Sequence, residues 1–533
     1  MNKKLLLGDE AIAQGAIDAG LSGVYAYPGT PSTEITEYIQ SYQRTTGDNI
    51  HCRWCTNEKT AMEAALGMSF AGKRALVCMK HVGLNVAADP FVNSSITGVN
   101  GGLVVLVADD PSMHSSQDEQ DSRFYGNFAM IPILEPSSQQ EAYNMMEYAF
   151  NISETQKIPV MMRTVTRLAH SRSAVELKDK RPQNPLNPVG GKREWVLLPA
   201  IARKKYALLL DKQPDFLTLS EQSPFNQYNS KAERYEIGAI ACGNTFNYLM
   251  ECFPDGAPLP VLKLSQYPIP TSIVQTMAEQ CDKLLVIEDG QPFVEERIKG
   301  LLPTRCQIIG RLSGSLPRTG ELNPDFVKTA LGIPLLPNSK AAENVVSRPP
   351  ALCQGCGHRD VYHALNLVLK EFEGAKVFGD IGCYTLGALP PFQALDSTVD
   401  MGASITMAKG AADAGLFPAI AIIGDSTFTH SGMTGLLDAV NANSPITIII
   451  SDNLTTGMTG GQDSAGLNKY EAICTGIGVD PEHLKTFVPL PQNMEAITNT
   501  LRQEIAYKGL SVIIPRRECI QTFARKAKAK NKL

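Results

Sequence analysis

Gly424-Asp425-Ser426, followed after twenty-five residues by Asp452-Asn453-Leu454-Thr455, is the stretch around which the sequence is organised. Phe417-Pro-Ala-Ile-Ala-Ile-Ile423 precedes its first half, and Ile446-Thr-Ile-Ile-Ile-Ser451 precedes its second. Both are short β-branched runs bounded by turn residues, so both read as buried strands. Residues 432–440 between them have helical spacing, which makes the whole a βαβ unit of a parallel sheet. Asp425 and Asn453 then stand at the carboxyl ends of two parallel strands, where open α/β sheets bind their ligands. One carboxylate, one amide oxygen and the Thr455 carbonyl are hard donors. Such a set suits Mg2+, which combines a few protein oxygens with phosphate and water. The alternative from these residues alone is that Asp425 and Asn453 merely cap the loops after their strands.

Outward from this unit, 533 residues allow three α/β domains of ordinary size. A hydrophobic content of 43% and a charged content of 19% fit a globular protein. A net charge of -5 gives no argument for nucleic acid or a membrane surface. The opening Met1-Asn-Lys-Lys-Leu-Leu-Leu-Gly-Asp9 is too short in apolar residues for a signal-peptide core, and no apolar run approaches a membrane span. Twelve cysteines without a secretory signal imply a reducing cytoplasm, where spaced cysteines are ligands more often than disulfides.

The first domain is expected over residues 1–178. It reads as a helix over 9–19, a strand over 23–27, the turn Pro28-Gly-Thr30-Pro-Ser32 and a helix from Thr33. A helix opening behind such a turn offers free N–H groups to an anion or carbonyl. Glu58 falls in the first turn of a buried alanine-rich helix, where its ordinary role is to complement the dipole. Strands at 74–78, 102–108 and 157–164 follow. The loop 109–123 holds five acids and one arginine, so Arg123 either pairs with a carboxylate or serves a substrate. A Pro/Asn/Gly-rich linker at 179–194 leads to a second domain at 195–342, with strands at 235–241, 261–264 and 283–287. It shows no catalytic constellation; Glu288, Asp289 and Glu295 read as a solvated or interface face, and scaffolding or dimer contact is its expected role. A break at 337–350 introduces the third domain, 343–533, whose basic tail reads as a frayed, solvated end.

Cys353-Gln-Gly-Cys356 alone is ambiguous between zinc, a redox pair and an iron–sulfur cluster. Cys383 lies in the turn after the strand at 376–378, and Cys519 follows the strand at 510–514. In a doubly wound sheet these strand ends share one edge with Asp425 and Asn453. Four thiolates converging there suit tetrahedral zinc or a cubane cluster. The alternative is that only the Cys353/Cys356 pair binds and the other two are ordinary buried cysteines.

The opening stretch resembles the thiamine diphosphate fingerprint, Gly-Asp-Gly then Asn-Asn, with Ser426 and Asp452 as departures that remove no metal ligand. The chain as a whole resembles the alpha subunits of indolepyruvate:ferredoxin oxidoreductases, in the 2-oxoacid:ferredoxin oxidoreductase superfamily. The stretches that carry this are Tyr27-Pro-Gly-Thr-Pro-Ser-Thr-Glu34, Asn57-Glu-Lys59, Met79-Lys-His-Val-Gly-Leu-Asn85, Ser115-Ser-Gln-Asp-Glu-Gln-Asp-Ser-Arg123 and Gly320-Glu-Leu-Asn-Pro324. Gly379-Asp-Ile-Gly-Cys-Tyr-Thr-Leu-Gly387, Met401-Gly-Ala-Ser-Ile405 and Thr456-Gly-Met-Thr-Gly-Gly-Gln462 continue the match.

The resemblance implies three doubly wound domains of the thiamine diphosphate fold: a pyrimidine-type domain, a transketolase-C-like middle domain and a pyrophosphate-type domain. It implies Glu58 as the group that bonds the aminopyrimidine, and Mg2+ on Asp425, Asn453 and the Thr455 carbonyl. It further implies one 4Fe–4S cluster on Cys353, Cys356, Cys383 and Cys519, and cofactor contacts at Thr30, Gly382, Gly402, Gly424 and Ser426. Lys80, His81 and Arg123 are the substrate-side candidates. The implied reaction is oxidative decarboxylation of a 2-oxoacid, such as indolepyruvate, to an acyl-CoA. Coenzyme A is the co-substrate and ferredoxin or another carrier takes the electrons. Implied partners are a small beta subunit on a separate chain and a second alpha-beta unit; no nucleic acid or membrane span is expected. The family's C-terminal ferredoxin-like domain would bring two further clusters, but fourteen residues follow Cys519 and none is a cysteine, so one cluster is expected. Cys52 and Cys55, outside the matched motifs, are expected to be structural. The rival readings are a non-oxidative thiamine diphosphate-dependent decarboxylase or carboligase, for which four converging cysteines have no use, and a non-catalytic subunit, against which Glu58, Asp425 and Asn453 argue.

Overall fold

The structure is a computed structural model that describes residues 3–188, 193–300, 305–335, 344–346 and 350–530. Most of the break expected at 337–350, and residues 189–192 of the expected linker, lie outside the described residues. The chain divides into two compact units, residues 1–339 and 340–533.

The first unit holds two large sheets. One has seven strands in the order Gln266–Tyr267, Ile133–Leu134, Val160–Val165, Leu103–Asp109, Ala75–Lys80, Gly23–Ala26 and His51–Trp54. All its pairs are parallel except that Gln266–Tyr267 runs antiparallel to Ile133–Leu134. The other has five strands, with Tyr235–Cys242 between Val261–Leu264 and Cys281–Ile287, closed at one edge by the antiparallel Gln227–Asn229. Near-continuous apolar strands such as Leu103–Asp109 are buried on both faces, as parallel strands flanked by helices must be. One apolar cluster joins Val77, Val105 and Met161 of the first sheet to Ile240, Leu262 and Val286 of the second. That shared core, together with the edge strand lent by the second region to the first sheet, makes the two regions one unit.

Glu288, Asp289 and Glu295, expected on a solvated face, are buried. Each is engaged by groups invisible to a local reading. Glu288 accepts from the backbone N–H groups of Val294 and Glu295 at 3.0–3.1 Å, capping the helix Phe293–Lys299 with negative charge. Asp289 accepts from Leu322 N at 2.9 Å, and Glu295 from Leu312 N at 2.8 Å.

The second unit is built on a six-stranded, wholly parallel sheet in the order Ser397–Thr398, Lys376–Gly379, Ala419–Gly424, Ile446–Ser451, Ser511–Pro515 and Leu484–Phe487. The helix expected at 432–440 is Met433–Asn441, entered through Asp425–Thr427 and a π turn at Phe428–Gly432. Insertions of that kind concentrate at functional sites. The tail expected to fray is instead a helix, Ile520–Lys530, because its Ala, Lys, Arg and Gln are strong helix formers. Arg525 donates to the Gly460 carbonyl and Lys526 pairs with Glu518 at 2.8 Å. Among the described residues, no helix is long and apolar enough to cross a membrane.

Candidate active site

In the second unit, Gly424 and Ser451 are register partners, so the loops that follow them leave the same sheet edge side by side. Asp425 is buried, with Oδ1 accepting from Ser426 N at 2.8 Å and Oδ2 from Thr455 N at 3.2 Å. Leu454 has φ 64°, and this left-handed step turns the chain back on itself. Thr455 N therefore also reaches Asn453 Oδ1, at 3.1 Å. Burial and then the adjacent Asp452 carboxylate hold the Asp425 pKa well above the usual range. Asp452 itself is neutralised by Arg516, which also grips Glu471 through two bonds of 2.8 Å. The Asp at 452, a departure from the fingerprint, thus carries its own counter-charge. Among the described residues, the donors to Asp425 are neutral backbone N–H groups and its side-chain neighbour is the Asp452 carboxylate, so a hard cation at its oxygens fits the local charge.

The glycines have a second explanation inside the fold. A Cβ on Gly382 or Gly424 would stand 2.4 or 2.5 Å from the Tyr384 ring, and one on Gly402 would stand 2.6 Å from Ser431 Cβ. Gly402 also has φ 95°, which favours glycine. Ser426 Oγ lies 2.9 Å from Thr456 Oγ1. Asp380 organises this corner: it accepts from the Tyr384 hydroxyl and from Ser404 Oγ, the latter at 2.7 Å. Its burial raises its pKa to about 7.

Cys353, Cys356, Cys383 and Cys519 line one cavity of about 110 Å³ with His358, Asn453 and Gly457. The loops that carry them are tied to the Asp425 corner, since Cys519 N donates to the Asn453 carbonyl at 3.0 Å. Burial, and after it the thiolates of Cys356, Cys519 and Cys353, push the Cys383 thiol up to about 12. Among the described residues, the one group of three or more His, Cys, Asp or Glu whose ligand atoms lie within 4.8 Å of one another contains none of these cysteines. A single tetrahedral zinc would need sulfurs about 3.8 Å apart. No three of these four sulfurs are mutually that close, so the cavity is not preformed around a single zinc. Cys52 is buried and donates weakly to the Thr36 carbonyl at 3.6 Å.

In the first unit, Glu58 opens the helix Glu58–Phe70 behind an Asn57 cap that accepts from Thr60 N at 2.9 Å. Glu58 is 5% exposed, and a Cβ on Gly83 would stand 2.5 Å from its Oε1. The neighbouring strands Gly23–Ala26 and Ala75–Lys80 bring the Thr30 turn beside Lys80: a Cβ on Gly29 would stand 3.3 Å from Lys80 Cβ. Lys80 donates to the Ser115 carbonyl at 2.8 Å, and burial lowers its pKa to about 8. His81 is 1% exposed with neither ring nitrogen hydrogen-bonded, and burial lowers its pKa. Thr30, Glu58, Lys80 and His81 thus gather at one sheet edge.

Arg123 does not join them as a substrate group. It is fully buried, paired with Asp121 and with Glu288 at 3.0 Å, and donates to the Tyr267 hydroxyl and to the carbonyls of Asp289 and Gln291 at 3.1–3.2 Å. Arg163 lies in the same network with Asp109 and Glu135. Every arm of the Arg123 guanidinium is occupied by protein, so the paired-carboxylate alternative is the one that holds.

His358 was given no role by its sequence position, two residues after Cys356. It is buried, its pKa is lowered to about 4 by burial, and its Nε2 lies 3.4 Å from Asn453 Nδ2. Asp380 and Tyr384 were likewise visible only as parts of the matched Gly379–Gly387 stretch.

Residues 14–194 match the family model "Pyruvate flavodoxin/ferredoxin oxidoreductase, thiamine diP-bdg", and residues 380–513 match "Thiamine pyrophosphate enzyme, C-terminal TPP binding domain". The indolepyruvate oxidoreductase subunit IorA of Archaeoglobus fulgidus is 38% identical, with 100% of this chain and 89% of that protein covered. The subunit of the same name from Thermococcus kodakarensis is 37% identical, covering 97% of this chain and 85% of its own length. A 2-oxoglutarate synthase subunit KorA from Methanothermobacter marburgensis is 27% identical over 34% of this chain and 51% of its own. Among solved structures, the 2-oxoglutarate:ferredoxin oxidoreductase of Magnetococcus marinus, with 2-oxoglutarate, coenzyme A and succinyl-CoA bound, superposes with a TM-score of 0.50 at 15% identity. That match covers 62% of this chain and 65% of that one, and supports the fold alone. With α/β parallel sheets, two thiamine diphosphate-binding regions and near-full-length relatives in hand, the chain belongs to the family of indolepyruvate-type 2-oxoacid:ferredoxin oxidoreductase alpha subunits.

Proposed function

We propose that this chain, with a small beta subunit, oxidatively decarboxylates an arylpyruvate such as indolepyruvate to an acyl-CoA. Electrons would pass through one 4Fe–4S cluster to ferredoxin or another carrier. The observation that carries the reading is the lining of a single cavity by Cys353, Cys356, Cys383 and Cys519 together with Asn453 of the Asp425 corner. We assign residues 1–178 as the pyrimidine-type domain, 195–342 as the middle domain and 343–533 as the pyrophosphate-type domain carrying the cluster. Twelve cysteines, free of disulfides where described, fit a reducing compartment.

When bound, thiamine diphosphate supplies the electron sink that no side chain offers, and the cluster supplies a one-electron acceptor. Asp425, Asn453 and the Thr455 carbonyl would hold Mg2+ against the diphosphate, while Gly382, Gly402, Gly424 and Ser426 present backbone and a hydroxyl to it. Glu58, excluded from water at its helix start, would exchange a proton with the aminopyrimidine. On the substrate side, Lys80 keeps its charge near neutral pH and would meet the oxoacid carboxylate. His81 has two buried nitrogens in need of a partner, and Thr30 lies in the adjoining turn.

Iron analysis of anaerobically purified protein, with EPR after dithionite, tests this reading. About four irons per chain and a reduced-cluster signal are expected. No iron, with thiamine diphosphate still bound, would turn the assignment toward a non-oxidative decarboxylase or carboligase.

A further inference from the structure

The first unit carries another constellation that this chemistry does not use. Asp9, Glu34 and His170 each offer one donor atom, and the three atoms lie within 4.8 Å of one another. Asp9 stands in the first turn of the helix Gly8–Asp18, Glu34 in the first turn of Thr33–Thr46, and His170 closes Thr166–His170. Three segments far apart in sequence converge on one point.

What marks the point is Asp9. It is fully buried, and no N–H or hydroxyl donor reaches either of its carboxylate oxygens; its one close polar neighbour is another carboxyl group, that of Glu34. A carboxyl group in that state is costly unless something binds it. Glu34 Oε2 likewise has no N–H or hydroxyl donor, while Oε1 faces His170 Nε2 at 3.6 Å. The nearby Glu10 carboxylate is already taken by Leu7 N at 2.8 Å, so it caps its own helix. The His170 side chain is 37% exposed, so one member of the group stands at the protein surface. Burial, then the neighbouring carboxylates of Glu34 and Glu10, keep the Asp9 pKa well above the usual range.

We propose that Asp9, Glu34 and His170 bind a first-row divalent cation such as Mn2+, with water completing its coordination. Two carboxylates and one imidazole form a mixed oxygen–nitrogen set, which suits such ions better than Mg2+ or Ca2+ with their all-oxygen preference. Binding displaces protons from Asp9 and His170 and gives the donor-starved carboxylate oxygens a cation in place of each other. It also pins the start of the helix that follows the Thr30 turn.

The competing arrangement of the same atoms is a carboxyl–carboxylate pair that shares a proton and needs no ion. The full-length chain, freed of metals and of thiamine diphosphate, is titrated with Mn2+ alone while EPR counts the free ion. One Mn2+ per chain is expected, lost in both Asp9→Asn and His170→Gln and retained in Asp425→Ala. No saturable binding, or binding that survives both Asp9→Asn and His170→Gln, overturns the proposal. Asp9→Asn is nearly isosteric and His170 is partly exposed, so at least one variant should fold, and binding retained in any folded one of the two also overturns the proposal. Thiamine diphosphate and iron take no part in the readout, so failure of the catalytic assignment leaves this result intact.

Discussion

Replacing Gly83 by alanine isolates what holds Glu58 in place. The helix His81–Val86 lies over that side chain, and the new methyl would stand 2.5 Å from Oε1, 2.7 Å from Cγ and 2.8 Å from Cδ. Ordinary contact begins at 3.4 Å, so either the carboxylate or the helix must give by about 0.9 Å. The carboxylate is the softer of the two, because it ends a side chain while the helix is packed. A misplacement of about 1 Å at a reacting group costs on the order of 10²-fold in rate. Alanine meanwhile gains about 0.8–1 kcal/mol of helix preference over glycine, which offsets part of the steric cost and keeps the fold. The assay is viologen dye reduction by a 2-oxoacid and coenzyme A in the enzyme reconstituted with its beta subunit, alongside a thermal melt and calorimetric binding of thiamine diphosphate. Gly83→Ala is expected to lower kcat about 100-fold while cofactor affinity and KM move by less than about threefold, the pattern of an interaction lost in the transition state. A folded variant with kcat within about threefold of the parent refutes the argument that this contact positions Glu58.

Other substitutions probe the remaining parts. Glu58→Gln should bind thiamine diphosphate normally yet show no turnover, and near-normal turnover would remove Glu58 from the mechanism. Asp425→Ala should lose Mg2+-dependent retention of the cofactor on gel filtration; unchanged retention counts against the metal corner. Arg123→Met leaves Glu288 buried without its cation and Asp121 with Arg163 alone, at 3.6 Å, and should cost about 3–5 kcal/mol in chemical denaturation. A loss under about 1 kcal/mol would mean those acids find other partners. His358 has its folded pKa lowered by burial to about 4, below the unfolded 6.5, so its contribution is complete above pH 6.5 and is lost as pH falls toward 4. The second unit's stability should therefore drop by up to about 3 kcal/mol across that window in the parent and by less in His358→Gln; equal slopes would show that His358 does not titrate there.

Much of this was legible where the signal is local. The isoleucine runs just before Asp425 and Asp452 announce buried parallel strands, and strand polarity then puts Asp425, Asn453 and the loops of Cys383 and Cys519 on one edge. Glu58 takes on a catalytic reading only through the surrounding motif, since a first-turn glutamate is ordinary by itself. The failures are non-local. Glu288 looks like surface because its neighbours Asp289 and Gln291 are polar, yet its partner Arg123 lies in another part of the unit. The glycines at 382 and 424 read as backbone contacts for a cofactor, and nothing in their spacing shows that the Tyr384 ring also demands them. His358 needed Asn453 beside it to gain meaning.

The short strand Gln266–Tyr267 bears on how the protein is made. A ribosome that has released residues 1–178 has delivered a sheet whose edge at Ile133–Leu134 is open, and two buried arginines that still await Glu288, Tyr267 and the Asp289 carbonyl. Open edges invite pairing with other chains, and half-neutralised buried charge resists compaction. The nascent first region is thus incomplete until about a hundred more residues have emerged, an interval of roughly 5–20 s at ordinary synthesis rates. During that interval it would be a client for chaperones, and a truncated gene encoding only the first region should yield inclusion bodies in place of a usable cofactor-binding module.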